Sequence, residues 1–156
     1  LPLLNLSKVE NDIKVFGIIT EKKHNGSYKI NSAKHCFIWV CNKNGIINNG
    51  DFICTSSITG YGMKQNSNKL LNSTIAKISC NCDFNINQLN KKIKLIDNKI
   101  QYNEGNIIFE DNTDDNAYNK RFLDNNGLII SEEEYNKKKI LGELVYIACL
   151  VGCSCI

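Results

Sequence analysis

Four Asn-Gly dipeptides, at Asn25-Gly26, Asn44-Gly45, Asn49-Gly50 and Asn126-Gly127, divide this chain of 156 residues into short apolar runs. Asn-Gly suits tight turns whose central residues take positive φ, and between apolar runs it signals hairpins. The flanking runs are "KVFGIIT" (14–20), "SYKI" (27–30), "HCFIWVC" (35–41), "DFICTS" (51–56) and "STIAKISC" (73–80). Each is short and rich in β-branched or aromatic residues, which fit a pleated, half-buried surface. The single proline, Pro2, leaves these ladders uninterrupted. The expected fold is mainly β, a compact domain of short antiparallel strands.

Two runs are apolar on both faces. In "HCFIWVC" the set Cys36, Ile38, Val40 alternates with Phe37, Trp39, Cys41, so this strand is expected to be covered twice, by the core and by a second layer or subunit. The closing run "LVYIACLVG" (144–152) has the same character and reads as a buried or subunit-bridging strand. Between them stands one signposted helix, at about 132–141. Ser131 caps it with Glu134 three residues on, acids fill its first turn, Lys137, Lys138 and Lys139 its last, and Gly142 follows. Residues 89–120 read as a peripheral, lysine-rich insertion, a hairpin around Glu104-Gly105 followed by the acidic loop "EDNTDDN".

At this length the chain reads as one domain, 1–156, and buries roughly 68–70% of its unfolded surface without help from metal or disulfide. No run of about 20 apolar residues suggests a membrane span, and no basic-then-apolar leader is visible. The chain opens "LPLLNLS" without methionine and reads as a piece of a longer polypeptide. The net charge is +3 and Arg121 is the only arginine, which argues against nucleic acid as a partner. Eight cysteines are present, with C-x-C pairs at 80–82 and 153–155 that on strands would place both thiols on one face. Together the pairs would make a Cys₄ zinc site. The simpler expectation is small buried hydrophobes, free and metal-free, in a reducing compartment.

The stretch "GDFICTSSITGYGMKQ" packs serines, glycines, a tyrosine and a lysine into one loop. It is not a P-loop: Lys64 follows Gly62 by two, no hydroxyl follows it, and strand-like sequence resumes at Ser73. It lacks the G-x-S-x-G order of a serine-hydrolase elbow, and His24 and His35 have no evident acid partner. Its expected role is structural. Asp51 would bond its own following backbone, the serines would satisfy backbone groups, and Tyr61 and Met63 would be presented to a neighbouring strand or subunit.

"IWVCNKNGIINNGDFICTSSITGYGMKQ", followed by "LLNSTIAKISCNCDF", resembles the intramolecular-chaperone autoproteolytic cleavage domain. That family contains C-terminal domains of phage preneck-appendage tail spikes and of related proteins of large DNA viruses. The resemblance continues through "KVFGIIT" and "RFLDNNGLIISEEEYN…VYIACLVGC", in the same order, and covers nearly all of the chain except 85–118. It implies a homotrimeric assembly domain of a fibrous virion protein, acting in the virion or the host cytoplasm, that cuts itself from its upstream fibre segment without a cofactor. It also implies glutamic-peptidase chemistry, in which one carboxyl activates water and another protonates the leaving nitrogen.

Within the resembling segments the acids are Glu10, Asp12, Glu21, Asp51 and Asp83. Glu10 and Asp12, two apart on an extended segment, share a face near the place where a cut would release the domain. They are the expected general base and its partner, with Asp51 and Asp83 in reserve. The competing reading of "VEND" is a solvated turn before the first strand, and that of the whole chain a non-cleaving structural virion module.

Overall fold

The computed structural model describes residues 5–31, 33–84, 91–97, 99–111 and 120–156, with backbone alone at 20–22, 91–93 and 111. The elements up to the insertion are β1 Ile19–Lys22, β2 Tyr28–Ile30, β3 His35–Cys41, β4 Phe52–Thr55, β5 Gly62–Lys64 and β6 Thr74–Ile78. The insertion holds β7 Lys91–Ile93, β8 Leu95–Ile96, β9 Lys99–Ile100, β10 Tyr102–Asn103, β11 Asn106–Ile107 and β12 Phe109–Asp111. Then come β13 Lys120–Leu123, β14 Ile129–Ile130, α1 Glu132–Ile140 and β15 Tyr146–Cys155. The fold is mainly β, with one short helix before the terminal strand, as the sequence predicts.

The main sheet runs β14-β13-β15-β3-β5-β4-β6, and β6 pairs with β15 as well as β4. Strands β15, β3, β5, β4 and β6 therefore close into a five-stranded ring, which removes the open edges that otherwise invite aggregation. The ten-residue β15 makes closure possible. Its first residues pair with β13, its middle with β3, and Cys153 to Cys155 with β6.

Alternation along the strands feeds two cores. Val40, Ile53, Ile147, Cys149 and Phe122 point into one cluster, while their neighbours Cys41, Cys54, Ala148 and Leu123 point into the other. The second cluster is covered by Ile58, Tyr61 and Met63 from the loop and strand that follow β4. The parts of β3 and β15 around Cys41 and Ala148 are thus covered on the second face by the chain's own loop. Each fully buried Ile or Val contributes roughly 1.5–3 kcal/mol.

Two of the four Asn-Gly dipeptides form hairpin turns, between β1 and β2 and between β13 and β14. The other two end a 3₁₀ turn and precede β4. At all four the glycine alone takes positive φ and the asparagine does not. A mirror-image turn does form where the insertion was expected to bend, with Glu104 at φ 52° and Gly105 at φ 80°. The insertion is three hairpin-like pairs, β7 with β12, β8 with β9 and β10 with β11. They meet at a cyclic set of amide bonds, Lys94 to Ile108, Ile108 to Gln101 and Gln101 to Lys94. Residues 112–116 of the acidic loop lie outside the described residues. Helix α1 begins as expected, with the Ser131 hydroxyl accepting from the Glu134 amide at 3.1 Å.

Candidate functional site

Loop 56–61 is built around one buried hydroxyl. Ser56 has no exposed surface, its Oγ donates to the Tyr61 carbonyl at 2.6 Å and accepts from the Ile58 amide at 3.1 Å. A buried hydroxyl so satisfied is a structural hub, as the sequence reading expects of these serines. Gly60 takes φ +82°, where an L side chain is strained, and a Cβ there would lie 3.2 Å from Leu6 Cδ1. Gly62 answers a different need: a Cβ there would lie 2.6 Å from Ile53 Cγ2. Tyr61 is buried against Trp39, edge to face with ring centres 6.3 Å apart, and its hydroxyl accepts from Arg121 at 3.1 Å. The Arg121 guanidinium lies 3.9 Å over the Trp39 ring. The chain's one arginine is built into this stack.

Residues 6–12 lie across the loop as a strap. The Gly60 amide donates to the Ser7 carbonyl at 3.0 Å, and the Asn11 amide to the Thr55 carbonyl at 3.3 Å. Thr55 Oγ1 donates to the Val9 carbonyl at 2.7 Å and accepts from the Asp12 amide at 2.8 Å. The unusual loop exists, in physical terms, to cover one core and receive the strap.

The strap is turned at 9–11 and 13–14 rather than extended, with Asn11 at φ 52°. Its two acids consequently take different partners. Asp12 accepts from the Ser7 hydroxyl at 2.9 Å and the Lys14 amide at 2.9 Å, a side-chain-closed turn. The Lys14 amide and then the Ser7 hydroxyl hold its carboxyl below the ordinary carboxylate range. Glu10 Oε1 meets Lys43 Nζ at 2.6 Å, and the same ammonium contacts the Ser57 hydroxyl. The Glu10 carboxylate raises the Lys43 pKa, so this ammonium stays protonated and donates to both neighbours. Lys43 sits on the 3₁₀ turn after β3, and no spacing rule would have linked it to Glu10, 33 residues away.

The reserve acids lie elsewhere. Asp51 stands at the opposite end of β4 from Thr55. Its carboxylate turns back to the Asn48 amide at 2.8 Å rather than forward, and meets Lys64 at 3.4 Å. It lines a cavity of about 440 Å³ with Lys64, Gln65 and Asn66. Asp83 is exposed beside the bridge between Cys82 and Ile47. Glu10 is thus paired with Lys43, Asp12 is enclosed by its own turn between Ser7 and Lys14, and Asp51 stands at the other end of β4.

The cysteines group differently from the C-x-C reading. Cys153 and Cys155 gather with Cys36, within 4.8 Å of one another, and Cys82, a free thiol, shares a hydrogen bond with the Cys149 thiol instead of joining them. The sulfurs of Cys36 and Cys155 are bonded, so these two are not free thiols. Comparison with family models, with curated proteins and with solved structures gives no match to this chain.

Proposed function

We propose that this chain is the assembly module of a viral fibre or virion protein, homotrimeric, which cuts itself from the polypeptide upstream of the strap. The observation that carries the reading is the docking of 6–12 on the Thr55 hydroxyl and the Gly60 amide. It holds a carboxylate, Glu10, on the segment that leads into the domain, in contact with the Lys43 ammonium, which also contacts the Ser57 hydroxyl. A tethered bond is presented at high effective concentration, so modest acid–base chemistry suffices for one turnover. In this scheme Glu10 takes a proton from water as that water adds to the scissile carbonyl, Lys43 orients the water, and the protonated Glu10 returns the proton to the leaving amide nitrogen as the C–N bond breaks. Asp12, kept ionised by its turn contacts, holds the strap rather than delivering a proton.

A second reading is favoured by those same contacts: a non-cleaving structural module, in which the strap is only a clasp. A chain carrying the upstream polypeptide separates the two. On the proposal it shortens itself without added protease, and Glu10→Gln, near-isosteric and still hydrogen-bonding, slows the cut by about 10²–10⁴-fold. If the wild type stays intact over days as a folded oligomer, the clasp reading stands.

A further inference from the structure

Three sulfurs from two strands converge at one end of the barrel. Cys36 and Cys153 are direct partners across β3 and β15, with sulfurs 3.5 Å apart. Cys155, two residues further along β15, lies on the same face as Cys153, and all three sulfurs fall within 4.8 Å of one another. We propose that in the reduced chain Cys36, Cys153 and Cys155 form a three-thiolate site for a thiophilic d¹⁰ cation of the Zn²⁺ type, with a fourth position open to solvent beside Cys155.

The geometry fits that class of ion. Zinc–sulfur bonds of about 2.3 Å in a tetrahedron set sulfurs about 3.8 Å apart, a spacing these three reach with small side-chain adjustments. Thiolates select soft cations over magnesium or calcium, which want oxygen. Two of the sulfurs belong to buried residues, while Cys155 is half-buried next to the exposed Ile156, which leaves a way in from solvent. The Asn31 side-chain amide donates to Cys155 Sγ at 3.0 Å. Such an outer hydrogen bond fixes a ligand's orientation and stabilises its thiolate. A bound cation displaces the protons of the thiols that ligate it. A disulfide between Cys36 and Cys155 takes two of the three ligands, so disulfide and cation exclude one another.

The test uses the full chain, reduced under argon, loaded with Zn²⁺ and desalted, with zinc and protein then quantified. About one zinc per chain is expected to remain, and Co²⁺ loaded in its place should show sulfur-to-cobalt charge transfer and tetrahedral ligand-field bands. Cys155→Ser, a near-isosteric change at a half-buried position, should lose the retained metal, and Cys36→Ser likewise. Cys80→Ser and Cys82→Ser should keep it. Circular dichroism of each variant checks the fold. The proposal is overturned if the reduced wild type retains no zinc, if retention follows Cys82 instead of Cys155, or if Cys36 and Cys155 remain disulfide-bonded under strong reductant in the folded chain.

Discussion

The Thr55 hydroxyl accepts the Asp12 amide proton at 2.8 Å, and the same oxygen donates to the Val9 carbonyl at 2.7 Å. One side chain at the end of β4 therefore pairs both a donor and an acceptor of the strap's main chain. Thr55→Val keeps the shape of the side chain and removes both bonds, leaving a part-buried amide and carbonyl without protein partners. Unpaired groups of this kind cost about 1–3 kcal/mol each. Hydrogen exchange at residues 6–12 should accelerate, while amides of β3 and β15 stay protected. Thr55→Ser should retain most of the protection. Wild-type exchange in Thr55→Val would show that the strap is held by something other than Thr55.

The strap should also loosen in acid. The Asp12 carboxyl titrates below its ordinary value of 3.8 because the Lys14 amide and the Ser7 hydroxyl stabilise its charge. A folded pKa below the unfolded one gives stability that is present above pH 3.8 and is lost as pH falls through the lower folded value. Strap exchange in wild type and in Asp12→Asn should differ at neutral pH and converge below that window. Curves that stay parallel through the acid range would assign the shift no role in holding the strap.

How far the sequence foretold this molecule depends on the distance between the residues that matter. The Asn126-Gly127 hairpin and the Ser131 cap are local, set by backbone preferences within four residues, and both form, although only the glycine of the turn takes positive φ. The double apolar pattern of β3 correctly demands two covers, but the pattern carries no information on which segment provides the second. Loop 56–61 does so only because Gly60 and the Ser56 hub fold it back over Cys41 and Cys54. Barrel closure, the pairing of Glu10 with Lys43 and the gathering of Cys36 with Cys153 all join residues far apart in the chain. The C-x-C spacing of Cys153 and Cys155 shows that both share a face, while their partner, 117 residues before Cys153, is chosen by strand register.

Among the described residues, the insertion comes close to the barrel at Gly152. A Cβ on Gly152 would fall 1.8 Å from Ile107 Cδ1 and 3.2 Å from Ser79 Oγ. Gly152→Ala should therefore destabilise by about 1–3 kcal/mol through overpacking. Ile107→Ala should relieve much of it, giving a coupling of at least about 0.5 kcal/mol in a double-mutant cycle of denaturant midpoints. Additive effects would mean that the two residues do not share this contact in solution.

Self-association is the prediction with the widest consequence for the proposed function. Within residues 128–144 stand Leu128, Ile129, Ile140, Leu141 and Leu144, each at least 62% exposed, with Ile140 at 85%. Single exposed apolar side chains are ordinary on a monomer, but five in one stretch, flanking a helix whose own buried residue is Tyr135 alone, call for a cover. A second and third copy provide it on the trimer reading. Sedimentation of the chain at micromolar concentration should give a trimer. Ile140→Lys combined with Leu141→Glu should dissociate it, because charges placed in an apolar contact must be desolvated without partners. Both side chains are exposed, so the monomer should keep its fold and its melting transition should become independent of concentration. Leu95→Lys, on the insertion, serves as the control and should leave the mass unchanged. A wild-type chain that sediments as a stable monomer removes the trimer, and with it the assembly half of the proposal.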